Sequence, residues 1–193
     1  MINIIFEKVI TSLIILSVVS VFAAIFIDFK KFDRKGNVYK GKKSIVATGT
    51  MTGFYVVYYM FLRFKIGYIG IINYPVILIG AIMIIAGAAL NIVGRFNLNS
   101  NWANHIKIYD DHKLITNGVY RIVRHPLYAS IMLMLFGGCL AYRNWVCILL
   151  TAFVFVPFMY YRAKQEERLL EEKFPGYKEY RNKTGMFFLK LWR

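Results

Sequence analysis

The chain has 193 residues, 58% hydrophobic and 17% aromatic, with 25 Lys and Arg against 10 Asp and Glu. So apolar a composition, with positive mean hydropathy, excludes an ordinary soluble domain and indicates a polytopic membrane protein. A formal charge of +15 would suggest nucleic acid in a soluble chain, but here the basic residues fall between apolar runs; they are assigned to topology and anionic lipid, with no nucleic-acid partner.

In chain order, charge-free runs cover residues 9–27 and 44–62, 19 residues each, close to the roughly 20 that cross a hydrocarbon core. Glu7 and Lys8 make a poor basic leader and no small-residue cleavage site follows, so the first run is read as a retained helix. A third run, 66–94, has 29 residues; Tyr74-Pro75 offers a helix start that leaves 20, residues 75–94. The last two, 127–142 and 144–161, hold 16 and 18 residues separated by Arg143, and read as a tight helical hairpin that crosses or nearly crosses the bilayer. The expected fold is therefore all-α and integral to the membrane, with five spans in one domain and a small cytoplasmic cap made of residues 95–126 and 162–193. With five spans, 21 Lys and Arg lie on one face and four on the other, which places the N-terminus outside and the C-terminus in the cytoplasm.

Within the spans, Gly49 and Gly53 form a pair that lets helices approach closely, and Gly80, Ala81, Gly87 and Ala88 suggest a packing seam. Cys139 and Cys147 read as small core side chains, and His105, His112 and His125 lack the spacing of a ligand pair, so no metal is expected. The segment 95–126 carries many aromatic and aliphatic residues around an Asn117-Gly118 turn signal, the pattern of a folded lid on the membrane face.

Two clusters carry the chemistry. Arg121, Arg124 and His125 precede Pro126, which at a first helical turn leaves backbone N–H groups free for an anion or carboxylate. Their plainer role is to anchor a helix end among headgroups. After the fifth run, helical pattern continues through residues 162–174 until Pro175-Gly176 stops it; Arg162 and Glu166 share a face and Glu167 lies beside them. Taken alone, these glutamates suit a solvated face. The hairpin, however, returns them to the same membrane face as Arg124 and His125. Acids and bases meeting there suit a zwitterionic, partly cationic ligand from the watery side and an apolar substrate from the lipid. S-adenosylmethionine fits that description, and no Gly-rich dinucleotide or phosphate-binding fingerprint is present.

The stretches "HKLITNGVYRIVRHPLY" (112–128) and "RAKQEERLLEEKFPGYKEY" (162–180) resemble the isoprenylcysteine carboxyl methyltransferase family, within the wider group that includes phospholipid methyltransferases. The similarity runs over about residues 94–185, with Phe174-Pro175-Gly176-Tyr177 departing from the family's usual Phe-Gly-x2-Tyr. The resemblance implies an S-adenosylmethionine pocket containing Leu114, Gly118, Tyr120, His125, Pro126, Tyr128, Glu166 and Glu167, reached by lipid substrate through a gap between helices. The expected reaction is methyl esterification of the carboxylate of a lipid-linked substrate such as an isoprenylated cysteine, with Arg162 and Arg124 orienting that carboxylate and Glu167, with Glu166, holding the cofactor's ammonium. Amine methylation of a phosphatidylethanolamine-type lipid, an NADPH-dependent sterol-type reductase, and a non-enzymatic adaptor or transporter are the competing readings.

Overall fold

In a computed structural model of the protein, the backbone is described for residues 2–31, 38–42, 45–98, 106–109 and 113–190, and side chains for 8–27, 51–98 and 113–190. His105, His112, Trp102 and most of the expected lid between 99 and 112 lie outside these residues, as do the surroundings of Gly49. Within them the order is α1 (Ile2–Lys31), β1 (Val38–Lys42), α2 (Ile45–Arg63), α3 (Tyr74–Leu98), β2 (Ile106–Tyr109), a 3-10 turn (Gly118–Arg121), α4 (Pro126–Ala141), α5 (Trp145–Leu150), a π turn (Thr151–Phe155), α6 (Val156–Lys173) and α7 (Tyr177–Lys183).

Helix dominates, and among the described residues three stretches are long and apolar enough to cross a membrane: Lys8–Ile27 within α1, Tyr74–Leu98, and the continuous Trp145–Lys173. The apolar α4 is shorter, at 16 residues. One short ribbon departs from the all-helical expectation. β1 pairs antiparallel with β2 from Val38↔Tyr109 to Lys42↔Ile106, so the connections that follow α1 and α3 meet on the same face of the molecule.

Local chemistry sets the helix ends. Asn73 accepts a hydrogen bond from the Val76 amide (3.2 Å) and Pro75 occupies the first turn, which fixes the start of α3. The helix continues past Gly94, its expected end, to Leu98; Arg95 donates from Nε to Asn91 Oδ1 at 2.8 Å and so stays inside the helical register. Between α4 and α5 the chain reverses over Tyr142, Arg143 and Asn144, with Arg143 in the left-handed region at φ 51. Asn144 accepts from the Cys147 amide (2.9 Å) and donates to Ile66 O (2.8 Å), tying this turn to the connection between α2 and α3. Pro157, which has no N–H to donate, sits at the start of α6, where the wider π turn accommodates it.

The core explains the packing order. Met132, Leu135 and Cys139 of α4 face Cys147, Phe155 and Met159 of the returning helix, and Tyr58 of α2 donates from its hydroxyl to Leu135 O at 2.8 Å. Both cysteines are free and fully buried there, as small core side chains. The closest approach is between α3 and α4. A Cβ on Gly80 would lie 2.5 Å from Ala141 N and 2.6 Å from Gly137 O, and one on Gly87 would lie 2.8 Å from Ser130 O. The seam expected around residues 80–88 is therefore used in full. At Gly53 the close approach that a glycine pair permits is not used among the described residues, where no atom lies within 4 Å of the Cβ position.

Backbone-to-backbone contact has a testable consequence. Gly80→Ala should overpack the seam and cost roughly 1–3 kcal/mol, whereas Gly53→Ala, unhindered inside a helix, should hold or slightly raise stability. Thermal unfolding of the two purified variants in the same detergent measures the contrast, and equal midpoints would contradict it.

Candidate functional site

The candidate site is assembled at the N-terminal end of α4. His125 precedes the helix and Pro126 takes its first position, packed against Gly94 of α3. The residues just before it are held in place by the C-terminal segment. Val123 bridges Gly185 in parallel, the Arg124 amide donates to Gly185 O (2.9 Å) and the His125 amide to Met186 O (3.1 Å). With its backbone pinned, the polar side chains of this stretch turn toward α6.

There α6 has left its apolar stretch and presents Arg162, Glu166 and Glu167 on adjoining faces. Arg162 donates from Nε to the Tyr128 hydroxyl (3.0 Å), which donates to Glu166 Oε1 (3.1 Å). His125 lies between the two carboxylates, with Nδ1 3.4 Å from Glu166 Oε2 and Nε2 3.4 Å from Glu167 Oε1. Its ring is parallel to that of Tyr128 at 5.5 Å between centroids. Arg124 Nε closes the series on Glu167 Oε1 at 2.8 Å. Six side chains thus form one connected line, Arg162, Tyr128, Glu166, His125, Glu167 and Arg124.

Charged partners, acting against burial, decide the charge state. His125 and Glu167 are 7% and 2% exposed. Burial alone would lower the imidazole's proton affinity, but the contacts to Glu166 and Glu167 outweigh it and raise the His125 pKa above its usual 6.5. Burial alone would likewise raise the Glu167 carboxyl; hydrogen bonds and charge from His125 and Arg124 instead hold it at about 2. The cluster is a set of compensated ions, with two buried atoms, His125 Nε2 and Glu167 Oε2, that make no hydrogen bond among the described residues. The buried carboxylate oxygen, with the Lys164 ammonium 3.7 Å away, suits a ligand's donor such as an ammonium group, while the protonated imidazole nitrogen suits an acceptor such as a carboxylate.

The other residues singled out in the sequence divide clearly. Tyr120 is buried and its carbonyl accepts from the Tyr180 hydroxyl at 2.6 Å, while the Glu166 charge adds to burial in raising the Tyr120 phenol. Gly118 stands at φ 56 with the Asn97 side chain where a Cβ would go, and Asn97 Oδ1 accepts from the Val119 amide at 3.0 Å. Leu114 is half-buried, one residue beyond the start of the described segment. Arg124 has more partners than the sequence suggested. Its Nη1 donates to Arg181 O (3.0 Å) and to Thr184 O, so the guanidinium joins α6, α7 and the tail.

Sequence reasoning placed residues 162–193 in the cap but named no site residue in α7 or the tail. Tyr177 is fully buried, Arg181 pairs with Glu171, and residues 184–187 cover the approach to α4. A cavity of about 430 Å3 opens between Arg124, Tyr160, Arg181 and residues 184–190. The available signal was slight: a Thr184-Gly185 pair, with Gly185 set against Phe188 O where a Cβ would clash.

Residues 78–172 match the model of the isoprenylcysteine carboxyl methyltransferase family. A probable protein-S-isoprenylcysteine O-methyltransferase of Oryza sativa is 30% identical over 117 residues, covering 58% of this chain and 61% of that protein. The protein-S-isoprenylcysteine O-methyltransferase of Rattus norvegicus is 32% identical over 118 residues (58% of this chain, 41% of the relative), and that of Saccharomyces cerevisiae 29% over 111 (56% and 46%). The chain thus spans roughly half the length of these relatives. The matched residues contain the whole line from Arg124 to Glu167, so over this stretch the chain is similar to the isoprenylcysteine carboxyl methyltransferase family.

Proposed function

We propose that this protein is an S-adenosylmethionine-dependent membrane methyltransferase that esterifies the carboxylate of a lipid-linked substrate, such as an isoprenylated cysteine, at the cytoplasmic face. The observation that carries the reading is the continuous polar line from Arg162 to Arg124, lying inside the family-matched residues at the end of apolar helices. In this reading the chain crosses the bilayer five times, with spans in α1, α2, α3, α4 and the α5–α6 helix up to about residue 161, the last two as a hairpin. The N-terminus lies outside, and the cap and C-terminus lie in the cytoplasm.

The buried Glu167 Oε2 and His125 Nε2 suit the polar end of the cofactor, and the Tyr128 ring, stacked on His125, adds an aromatic wall. Leu114, Gly118, Tyr120 and Pro126 complete the wall on the α3 and α4 side. When bound, S-adenosylmethionine supplies a methyl group on a positively charged sulfur, which departs as a neutral thioether once a carboxylate oxygen has taken the methyl. A substrate carboxylate is already ionised at neutral pH, so the protein need not remove a proton. Its work is to position and to desolvate. Arg162 is placed for the substrate: its guanidinium lies between Tyr128 and the Met51 sulfur (3.4 Å), at the junction of α6 with α2, where an apolar chain enters from lipid. Arg124 is bound to Glu167, Arg181 and Thr184, so we assign it to holding Glu167 in place rather than to orienting substrate.

The deciding experiment is a methyl-transfer assay in detergent with a small farnesylated cysteine analogue. An alkali-labile methyl product is expected; an alkali-stable product on phosphatidylethanolamine would replace this reading with amine methylation, and no transfer from S-adenosylmethionine to either acceptor would end it. Glu167→Gln should weaken S-adenosylmethionine binding by about tenfold or more, since a charge-assisted hydrogen bond contributes roughly 1.5–3 kcal/mol. Arg162→Lys should depress kcat/KM for the acceptor while calorimetric cofactor affinity stays close to wild type.

The site also sets a pH window for stability. Glu167, at about 2 when folded against 4.5 otherwise, stabilises fully above pH 4.5, and that contribution disappears as pH falls toward 2. His125, raised above 6.5, stabilises fully below pH 6.5 and loses its contribution as pH rises through the folded value. The thermal midpoint should therefore fall on the acid side of 4.5 and again as pH climbs past 6.5. A pH series of melting curves should show His125→Gln flattening the alkaline fall and, because His125 also lowers the Glu167 carboxyl, weakening the acid fall without abolishing it, since Arg124 remains.

A further inference from the structure

Outside the line just described, a buried polar pair joins α3 to α4. Asn91 of α3 and Ser130 of α4 are both 0% exposed. Arg95 Nε donates to Asn91 Oδ1 (2.8 Å), Asn91 Nδ2 donates to Ser130 Oγ (2.7 Å), and Ser130 Oγ donates to Leu127 O (2.7 Å). The polarity of this chain is fixed. Arg95 has only donors, so the Asn91 oxygen must face it and the Asn91 amide group must face Ser130. Ser130, accepting from Asn91, is left with its single proton for Leu127.

The carbonyl at the end of that chain belongs to the first turn of α4, between His125 and Tyr128. The opposite end of the same bracket is the last turn of α3, where Asn97 holds the Val119 amide next to Tyr120. A buried Asn–Ser pair is an ordinary way to join two membrane helices, but a simple join does not require a charged residue at one end and the site's first turn at the other. Resting on the function proposed above, we infer that Asn91 and Ser130 are positioning residues for the cofactor: with Arg95 they set the angle of the first turn of α4, and so the placement of His125 and Tyr128 against Glu166 and Glu167. Neither residue touches the pocket itself.

Ser130→Ala is the informative variant, because it removes the link to Leu127, fits a tightly packed helix face and leaves Asn91 with Arg95. Gly80→Ala is its control, disturbing the same α3–α4 seam at the far end against Ala141 and Gly137. Calorimetric S-adenosylmethionine affinity, acceptor turnover and thermal midpoint are measured for wild type and both variants. Ser130→Ala should weaken cofactor affinity about fivefold, the typical net effect of one hydrogen bond, and raise KM for the cofactor with kcat at saturation retained. Gly80→Ala should lower the midpoint and leave affinity alone. Unchanged affinity in Ser130→Ala, or an equal loss of affinity in Gly80→Ala, overturns the positioning role while the function stands. Wild-type protein that fails to bind S-adenosylmethionine overturns the function first, and this inference with it.

Discussion

The pairing of Arg124 with Glu167, at 2.8 Å and almost wholly out of water, is the contact on which the site's architecture rests. Removing one partner of such a pair leaves a buried charge and costs roughly 3–5 kcal/mol, so neither residue is independent of the other. The pair does more than hold α4 to α6. Because Arg124 also donates to the carbonyls of Arg181 and Thr184, α7 and the tail have to close over the same point, and the backbone bonds from Gly185 and Met186 to residues 122–125 follow from that closure. His125 then has a single place to go, between two carboxylates whose negative charge keeps it protonated more strongly than in water.

A rigid site of this kind needs a rigid platform, which the α3–α4 seam provides. Glycines at 80, 87 and 137 bring two backbones within the distance that a single methyl group would fill. In a lipid environment there is no gain from hiding apolar side chains from one another, so close backbone packing and buried hydrogen bonds carry helix association. The seam has both: glycines along its length, from Gly80 at the Ala141 end to Gly87 against Ser130, and the Asn91–Ser130 contact toward the His125 end. The two devices are suited to different tasks, since a methyl-sized gap tolerates sliding along the helix axis and a hydrogen bond of fixed polarity does not.

What the sequence made legible follows from the kind of signal each element carries. Apolar runs broken by charges located α1, α3 and the α5–α6 helix, and Pro175-Gly176 marked the end of α6 at Lys173. The spacing from Arg162 to Glu166 gave the face that meets Tyr128, because helical periodicity is a property of sequence alone. By contrast, no periodic signal shows that Arg124 has Glu167 for a partner rather than a ligand, since that depends on a contact 43 residues apart in the chain. Gly53 shows a related limit: a glycine pair states that close approach is permitted, and only the neighbouring helix decides whether it happens. The β1–β2 ribbon was invisible because Val38–Lys42 reads as a basic loop until its partner strand is known.

The arrangement also bears on how a charged reaction is managed at a lipid boundary. Charged side chains along the α6 line are each joined to another polar group, and the line runs from Arg162 beside Met51 to Arg124 under the tail. Its two ends therefore meet different surroundings, helix α2 with its exposed apolar face on one side and the polar α7 on the other. In the proposed reaction, an acceptor with a greasy chain and an anionic head is served by the first end, and a water-soluble, cationic donor by the second. His125 and Tyr128 lie between them, so the parallel stack of these two rings is the shared wall of both approaches. Geometry at that wall governs donor and acceptor together, which is why the angle of the first turn of α4 matters more to function than its distance from any reacting atom would suggest.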